Sequence, residues 1–208
     1  MQTSVDKNII KSTLHDRGIC TVIPTYNNAG TIVDVVTRTL QQCDDVIVVC
    51  DGCTDGTLEL VQSIEGVTIV SYVDNKGKGT ALKYGFKKAL ELGFSYAITL
   101  DADGQHFPED IPLLLDANIL HPGALLIGLR KGLVNVERTF GSKFANEFSN
   151  FWFCVQTGKR LKDTQTGYRL YPLKKLVGLN FLTSRYEAEL ELLVFSCWHG
   201  VSIISVPV

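Results

Sequence analysis

Two carboxylates stand two residues apart in the segment Asp101-Ala-Asp-Gly-Gln-His106, directly after the apolar run 96–100. A run of that length and composition is typical of a buried β-strand. Carboxylates directed into a cleft need a counter-ion, and Mg²⁺ or Mn²⁺ is usually held by one or two carboxylates together with substrate phosphate oxygens. We therefore predict that Asp101 and Asp103 bind a divalent cation, with Gln105 or His106 as a further ligand. The alternative is an acidic turn whose Asp side chains only cap the next helix.

A second acidic segment, Cys50-Asp-Gly-Cys-Thr-Asp-Gly-Thr57, follows the apolar run 46–50. Its first carboxylate, Asp51, would hydrogen-bond a nucleobase or ribose. Its second, Asp55, has the position of a helix cap. This segment therefore indicates a nucleoside-binding site at Asp51.

The segment Lys76-Gly-Lys-Gly79 resembles a phosphate-binding loop. Glycines allow the backbone to approach a phosphate closely, and lysines neutralise its charge. The loop lacks the spacing Gly-x4-Gly-Lys-Ser/Thr, so a P-loop NTPase is disfavoured.

Apolar runs alternate with amphipathic stretches along the chain. We predict strands at 19–23, 46–50, 67–72, 96–100, 124–129 and 201–208. Near-continuous apolar strands that alternate with helices predict an α/β fold, in which helices flank both faces of a mostly parallel central sheet. In such sheets, ligands bind outside the carboxyl ends of the strands. The sequence places polar residues at these ends: Thr25-Tyr-Asn27, Asp51, Asp74-Asn-Lys76 and Asp101-Ala-Asp103.

Charge is unevenly distributed along the 208 residues, whose formal net charge is −2. Residues 130–175 hold ten Lys/Arg and three Asp/Glu, a local net charge of +7. A basic region beside an acidic remainder indicates an anionic ligand or surface near the basic part. No run of eighteen apolar residues and no signal-peptide pattern is present, so we expect a cytoplasmic protein.

Several segments, in order along the chain, resemble the motifs of inverting GT-A glycosyltransferases of the family 2 type. Those typical of the superfamily are Ile23-Pro-Thr-Tyr-Asn27, Cys50-Asp-Gly-Cys-Thr-Asp-Gly-Thr57, Asn75-Lys-Gly-Lys-Gly-Thr-Ala-Leu82 and Asp101-Ala-Asp-Gly-Gln-His106. Those that resemble the polyprenyl (dolichyl) phosphate mannosyltransferase-like branch are Arg138-Thr-Phe-Gly-Ser-Lys-Phe-Ala-Asn146, Asp163-Thr-Gln-Thr-Gly-Tyr-Arg169 and Arg185-Tyr-Glu-Ala-Glu-Leu-Glu191. The processive-synthase signature Gln-x-x-Arg-Trp is absent, which argues against a polysaccharide polymerase.

The resemblance implies a Rossmann-like GT-A fold and a metal-dependent hexosyltransferase that uses a nucleotide-diphosphate sugar of the GDP-mannose or UDP-glucose type. The nucleoside pocket would be lined by Pro24, Tyr26 and Asp51, with Lys76 and Lys78 near the phosphates. The cation, Mg²⁺ or Mn²⁺, would be held by Asp101, Asp103 and Gln105. The acceptor phosphate would face Arg130, Arg138, Ser142 and Lys143, and the sugar site would be bordered by Asp163, Gln165 and Arg169.

The resemblance also predicts a domain organisation. Residues 1–17 would be a tail, and residues 18–208 a single domain with a nucleotide-sugar-binding half (18–107) and an acceptor half (108–208). Because the chain stops on a strand with no closing helix, we expect that the full-length protein continues.

Two kinds of acceptor remain open. A polyprenyl phosphate is largely ionised near neutral pH, because the second pKa of a phosphate monoester is about 6. It therefore needs positioning cations and no base. A glycan or lipid hydroxyl needs a general base, for which Glu187, Glu189 and Asp163 are candidates. A non-catalytic nucleotide-sugar-binding domain is a third possibility, against which the intact pair Asp101 and Asp103 argues.

Aromatic residues in the basic region are compatible with two arrangements, contact with a membrane surface and burial in the core. One helical stripe carries Phe140, Phe144, Phe148, Phe151 and Trp152. Cationic residues beside such a stripe suit a helix lying on anionic lipid, a peripheral contact at the inner face of the membrane. Burial in the core is the expectation for most of these rings and for Trp198. No nucleic-acid partner is indicated.

Overall fold

The computed structural model describes residues 4–129, 140–178, 183–184 and 187–208, without the side chains of residues 4–6 and 140–145. The strands within these ranges are β1 (Ile19–Thr25), β2 (Val46–Asp51), β3 (Val67–Tyr72), β4 (Tyr96–Thr99), β5 (Leu125–Leu129), β6 (Arg169–Pro172) and β7 (Ile203–Pro207). The helices are α1 (Ser4–Asp16), α2 (Ile32–Leu40), α3 (Thr57–Gln62), α4 (Lys78–Glu91), α5 (Ile111–Leu120), α6 (Phe140–Thr157), α7 (Leu173–Leu176) and α8 (Glu187–Trp198), with a 3₁₀ turn at Pro108–Asp110.

The described strands form one sheet in the order β3-β2-β1-β4-β6-β5-β7. Only β6 runs antiparallel to its neighbours β4 and β5. The other pairs are parallel. The predicted α/β fold with a mostly parallel sheet is therefore confirmed. Strand β6 was not predicted from the sequence, because four residues that end at Pro172 are too short to show a strand pattern.

Helices cover both faces of the sheet, which explains why the central strands are apolar throughout. All seven residues of β1 are buried. Alternate side chains point to opposite faces, so Ile23 packs in one core with Val35 of α2. Val22 packs in the other core with Leu82 of α4. Strands buried on both faces lose the alternating pattern of half-exposed strands.

The N-terminal residues form a helix where the sequence predicted a tail. Leu14 of α1 is buried in the first core. Lys11 pairs with Asp44 at 2.7 Å, and His15 Nδ1 lies 2.8 Å from Asp45 Oδ2. This helix therefore packs against the sheet, which a polar segment with few apolar residues did not suggest.

Two predictions about aromatic burial are wrong. Of the five stripe rings, Phe148, Phe151 and Trp152 are exposed, whereas Phe153, which lies off the predicted stripe, is fully buried. The side chains of Phe140 and Phe144 lie outside the described part of the chain. Trp198 is also exposed. Consecutive helix residues are rotated by about 100°, so the buried face of α6 is offset from the aromatic stripe. Within the described part of the chain, no helix has the length and apolar character to cross a bilayer.

Candidate active site

A cleft of about 650 Å³ opens at the carboxyl ends of the parallel strands. The chain passes from β1 to β2 on one side of the sheet and later to β4 on the other, and open α/β sheets bind ligands at such a switch point. The lining residues are Pro24, Thr25, Tyr26, Asn28, Asp51, Asn75, Gly77, Lys78, Ala81, Asp101, Ala102 and Asp103. Thr31 Oγ1 donates to the Ala102 carbonyl at 2.6 Å and so ties the β1 loop to the acidic segment.

Asp51 lies at the end of β2 and holds the neighbouring loop in place. Its two carboxylate oxygens accept hydrogen bonds from the backbone N–H groups of Lys76 and Gly77, both at 2.8 Å. Gly52 follows at φ +70°, and a Cβ there would come within 2.5 Å of the Asn75 nitrogen. A second lone pair on each carboxylate oxygen can still accept from a nucleoside. Asp55 accepts from the N–H of Thr57, the first residue of α3, although the N-cap position of this helix is Gly56 and not Asp55.

Part of the backbone of the predicted phosphate cradle at residues 76–79 is already hydrogen-bonded within the protein. The N–H groups of Lys76 and Gly77 already bind Asp51. A Cβ on Gly79 would lie 2.3 Å from the Ala188 Cβ, so this glycine allows α4 to pack closely on α8. The Lys76 ammonium stands 5.2 Å from the centroid of the Tyr72 ring. Of the four residues, only Gly77 and Lys78 line the cleft.

Lys78 links two carboxylates that are far apart in the sequence. Its Nζ lies 2.6 Å from Asp101 Oδ1 and 2.9 Å from Glu189 Oε2. Burial lowers the pKa of Lys78, but the charges of Glu189 and Asp101 more than offset this and hold the pKa above its ordinary value. Burial likewise raises the pKa of Asp101, but Lys78 together with His106 and Arg169 more than offsets this effect, so the net pKa is lowered. Lys78 and Asp101 are therefore both charged near neutral pH.

The two carboxylates after β4 differ in their surroundings. Asp101 is partly buried, and its backbone N–H donates to His106 Nδ1 at 3.0 Å. Because His106 Nδ1 accepts this bond, it is already engaged within the protein. The His106 ring stacks against Tyr168 with 5.4 Å between ring centroids. Asp103 is exposed, and its Oδ1 accepts from the Gln105 N–H at 2.9 Å. The predicted acidic-turn bond therefore exists at Asp103, but both carboxylates also line the cleft.

These residues fit a divalent cation that shares its ligands with a substrate. No group of three His, Cys, Asp or Glu side chains able to hold a metal by itself occurs in the described ranges. Mg²⁺ and similar ions commonly use one or two carboxylates and take the remaining oxygens from water and phosphate. Asp101 and Asp103 provide that arrangement. Gln105 is exposed beside them, and its role as a third ligand stays a prediction.

Gly167 is a site residue that the sequence analysis did not single out. The last residue of β4, Thr99, pairs with Arg169 of β6, so Gly167 lies opposite Asp101 where the two strands continue. A Cβ at Gly167 would be 2.7 Å from Asp101 Oδ2 and 2.8 Å from Lys78 Nζ. The glycine therefore leaves room for the ion pair. In the sequence, Gly167 could have been found from its position in the segment 163–169, which resembles a family motif.

Substituting Gly167→Ala is expected to lower sugar-transfer activity by about 100-fold, because a displacement near 1 Å at a reacting centre has that effect. The added methyl group must push aside Asp101 or Lys78, each of which is already held by an ion pair. The measurement is kcat/KM together with the melting temperature. Gly178→Ala is a poor control because its φ is +88°, whereas Gly30 has open space and an ordinary φ. Equal activities of G167A and G30A would refute the steric role.

The residues predicted to border the sugar site have different environments. Arg169 is fully buried, and its guanidinium donates to the carbonyls of Glu189 at 2.8 Å and Thr164 at 2.7 Å. It does not line the cleft and instead connects β6 to α8. Asp163 is buried and accepts from the Gln165 N–H at 2.9 Å, while the Gln165 side chain is exposed. The acceptor-side predictions Arg130, Arg138, Ser142 and Lys143 lie outside the residues or side chains that the structure describes.

The three carboxylates near the start of α8, Glu187, Glu189 and Glu191, have different surroundings. Glu187 is exposed. Glu189 is 5% exposed and faces Lys78. Glu191 accepts from the Thr183 N–H at 2.9 Å.

Comparison with known proteins agrees with this architecture. The structure superposes on glucosyl-3-phosphoglycerate synthase from Mycobacterium tuberculosis, solved with Mn²⁺, UDP and phosphoglyceric acid, with a TM-score of 0.74. The identity is 19%, and the match covers 100% of this chain and 73% of the other. This likeness confirms the GT-A fold.

Two relatives are similar in sequence over most of their length. A polyprenol monophosphomannose synthase of Mycolicibacterium smegmatis is 33% identical over 90% of this chain and 75% of its own. A UDP-N-acetylglucosamine–dolichyl-phosphate N-acetylglucosaminyltransferase of Methanococcus voltae is 30% identical over 93% of this chain and 85% of its own.

The family model "Glycosyl transferase family 2" matches residues 20–168, which run from the second residue of β1 past β5 and include the acidic segment after β4 and Gly167. The resemblance of the sequence motifs, the GT-A fold and this match agree. The chain is a glycosyltransferase and belongs to glycosyl transferase family 2.

Proposed function

We propose that this protein transfers a hexose, with inversion at the anomeric carbon, from a nucleotide-diphosphate sugar to a polyprenyl phosphate in the presence of Mg²⁺ or Mn²⁺. The donor would be of the GDP-mannose or UDP-glucose type. One observation carries the proposal: two carboxylates, Asp101 and Asp103, and the Lys78 ammonium converge on one cleft at the switch point of the sheet.

The donor side follows from the positions of the lining residues. Pro24, Tyr26 and Asp51 line the part of the cleft beside β1 and β2, where a nucleoside would lie. Asp101 and Asp103 would hold the cation, which neutralises the charge that develops on the departing diphosphate. Lys78 is directed at the same region and supplies a positive charge of the chain's own. Fixed charges at a leaving group lower the barrier because they need not reorganise during the reaction.

In the proposed reaction an acceptor oxygen attacks the anomeric carbon on the face opposite the diphosphate. The new bond joins that carbon to the acceptor oxygen, and the bond to the diphosphate oxygen breaks with its electron pair. The nucleoside diphosphate then leaves as the anion. A phosphate acceptor enters this step already ionised, so no residue must remove a proton.

The acceptor choice is supported by the state of the candidate bases. A general base must reach the acceptor hydroxyl and be free to take its proton. Glu189 is buried, and its carboxylate is paired with Lys78 at 2.9 Å. Asp163 is buried and binds the Gln165 N–H. The name of one relative reported above specifies dolichyl phosphate as the acceptor, and the name of the other specifies a polyprenol monophosphomannose product. These points favour a polyprenyl phosphate over a hydroxyl.

The decisive experiment pairs donors with matched acceptors. Radiolabelled GDP-mannose, UDP-glucose and UDP-N-acetylglucosamine are each incubated with a polyprenyl phosphate and with the corresponding polyprenol, with Mn²⁺ or with EDTA. We expect one donor to label the phosphate lipid only, in a metal-dependent reaction, and the product to be cleaved by mild acid as a glycosyl phosphate is.

Labelling of the polyprenol would instead support a hydroxyl acceptor, and its loss in Glu187→Gln, with nucleotide binding intact, would identify the base. If no donor labels either lipid although UDP or GDP raises the melting temperature, the lipid-acceptor proposal is wrong. Binding of UDP or GDP that does not depend on the metal would favour the alternative of a non-catalytic nucleotide-sugar-binding domain. A polyprenyl acceptor would further place the protein at the inner face of a membrane.

A further inference from the structure

The outward side of α6 carries a contiguous aromatic surface, which we call the α6 surface. It consists of Phe148, Phe151, Trp152 and Val155 on α6 together with Trp198 at the end of α8, and these residues are 42–59% exposed. Exposed apolar residues that occur singly are common on proteins, whereas a contiguous aromatic patch marks an interaction site.

The rings of the α6 surface are held in place by one another. Trp152 packs edge-on against Phe148 and Phe151, with ring centroids 6.1 and 5.7 Å apart. The Trp198 indole N–H donates to the Gln156 carbonyl of α6 at 2.9 Å. This bond joins α8 to α6 and satisfies the polar group of the indole. The ring is therefore left with an apolar face toward the outside.

Cations adjoin the α6 surface. Lys159, Arg160 and Lys162 follow α6 directly, and all three are exposed. Glu147 is the single carboxylate exposed between residues 146 and 162. Aromatic rings beside Lys and Arg form the composition that binds at the headgroup level of an anionic bilayer. A second copy of this chain on a two-fold axis would bring like charges together, which disfavours such a dimer.

The α6 surface is also connected to the active site. Asn150 of α6 binds the Lys162 carbonyl at 3.0 Å and accepts from the Thr164 N–H at 3.1 Å. The Thr164 carbonyl accepts from Arg169 at 2.7 Å, and Arg169 lies two residues after Gly167, where an added Cβ would be 2.7 Å from Asp101 Oδ2. A short series of direct contacts therefore joins the surface to the wall of the cleft.

We infer that the α6 surface rests on an anionic lipid bilayer, with its aromatic rings among the headgroups and Lys159, Arg160 and Lys162 against lipid phosphates. The inference deepens the proposed function and rests on it, because a polyprenyl phosphate is held in a membrane. Docking on this side would keep the acceptor half of the protein at the membrane while the donor enters the cleft from water.

The chain offers an internal probe, because its two tryptophans are Trp152 and Trp198, both on the α6 surface. We expect their fluorescence emission to shift to shorter wavelength when vesicles of equimolar phosphatidylcholine and phosphatidylglycerol are added. Phosphatidylcholine vesicles alone should produce a smaller shift. Salt should weaken the binding, since polybasic attraction to anionic lipid is screened.

Two variants and a matched control test the surface by vesicle co-sedimentation. Phe151→Ser with Val155→Ser, and Lys159→Glu with Lys162→Glu, should each lower the vesicle partition constant by about tenfold or more, because buried apolar area and juxtamembrane cations both contribute to binding. Ile119→Ser with Leu120→Ser removes exposed apolar residues from α5 and should leave partition unchanged.

The outcomes separate this inference from the proposed function. All variants should retain nucleotide-dependent thermal stabilisation and transfer to a short-chain polyprenyl phosphate in detergent. If vesicles bind without a change in tryptophan emission, another surface contacts lipid and the inference fails. A blue shift that grows with protein concentration in the absence of vesicles would indicate a second copy as the occupant. If vesicle binding behaves as expected but no donor labels the lipid phosphate, the proposed function fails alone.

Discussion

Replacing Asp101 and Asp103 together by asparagine is expected to lower kcat/KM for sugar transfer by about 10³-fold or more, since removal of one fixed electrostatic contact from a transition state typically costs 10²–10³-fold. Asparagine preserves size but removes both negative charges, so a divalent cation loses both of its carboxylate ligands. Metal-dependent binding of the nucleoside diphosphate should disappear as well. Calorimetry of UDP or GDP with and without Mn²⁺ measures the second effect independently of turnover.

The single variants Asp101→Asn and Asp103→Asn separate the contributions of the two carboxylates to this loss of activity. Asp103 is exposed, so Asp103→Asn tests the cation site with little disturbance to the fold. Asp101→Asn also removes a partner of Lys78 and leaves that ammonium with Glu189 alone. Asp116→Asn, an identical change at an exposed position of α5, is the matched control. If the double variant turned over like Asp116→Asn, the cation site would lie elsewhere and the proposed mechanism would be wrong.

The second large effect is expected at Lys78, where a substitution should change metal and donor binding in opposite directions. The Lys78 ammonium is 2.6 Å from Asp101 Oδ1 and neutralises the carboxylate that would bind the cation. In Lys78→Met, affinity for Mn²⁺ without nucleotide should rise about tenfold, which corresponds to about 1.4 kcal/mol. Affinity for the nucleoside diphosphate in the presence of Mn²⁺ should fall by at least about tenfold, because a charge-assisted hydrogen bond to phosphate is lost.

Manganese paramagnetic resonance measures the first of these affinities, and calorimetry measures the second. Removing one member of a buried ion cluster leaves the other charges uncompensated and destabilises the fold by about 3–5 kcal/mol. The double variant Lys78→Met with Glu189→Gln also removes the charge of Glu189, which Lys78→Met alone leaves buried without its ammonium partner. It therefore separates the effect on stability from the effect on binding. If both affinities fell in both variants, Lys78 would organise the carboxylates rather than compete with the cation.

The position of Lys78 also suggests an order of events at the site. Without a ligand, the ammonium holds Asp101 and Glu189 together across α4, β4 and α8. A diphosphate attracts the same ammonium, and a divalent cation attracts the same carboxylate. Each ligand would therefore release a group that the other needs, and such coupling is reciprocal by linkage. Donor and metal should accordingly bind cooperatively in the wild-type protein and less so in Lys78→Met.

The sequence alone determined the side of the sheet on which the site lies. Apolar strands that alternate with helices predict a parallel sheet, and parallel strands end at a common edge. Pro24, Tyr26, Asp51, Asp101 and Asp103 follow strands in the sequence, and all five line one cleft in the structure. The resemblance of the motifs led to the family that the comparisons confirm.

The tertiary structure decided what those motifs do. Lys78, Asp101, Gly167 and Glu189 meet although they are far apart in the chain, and periodicity reports only on neighbours along a helix or strand. The sequence pattern could not show that β6 enters the sheet antiparallel between β4 and β5, which brings Gly167 to Asp101. Nor could it distinguish a glycine that cradles phosphate from Gly79, which allows α4 to pack against α8.

The same distinction holds for the aromatic stripe of α6. Spacing in the sequence showed that several rings share one helix face, but a stripe facing the core and a stripe facing outward have identical spacing. Only the packing of Phe153 into the core turned Phe151 and Trp152 outward. Local sequence therefore determined the elements and their polar ends, whereas contacts between distant segments determined which side chains meet, because those contacts exist only once the sheet has assembled.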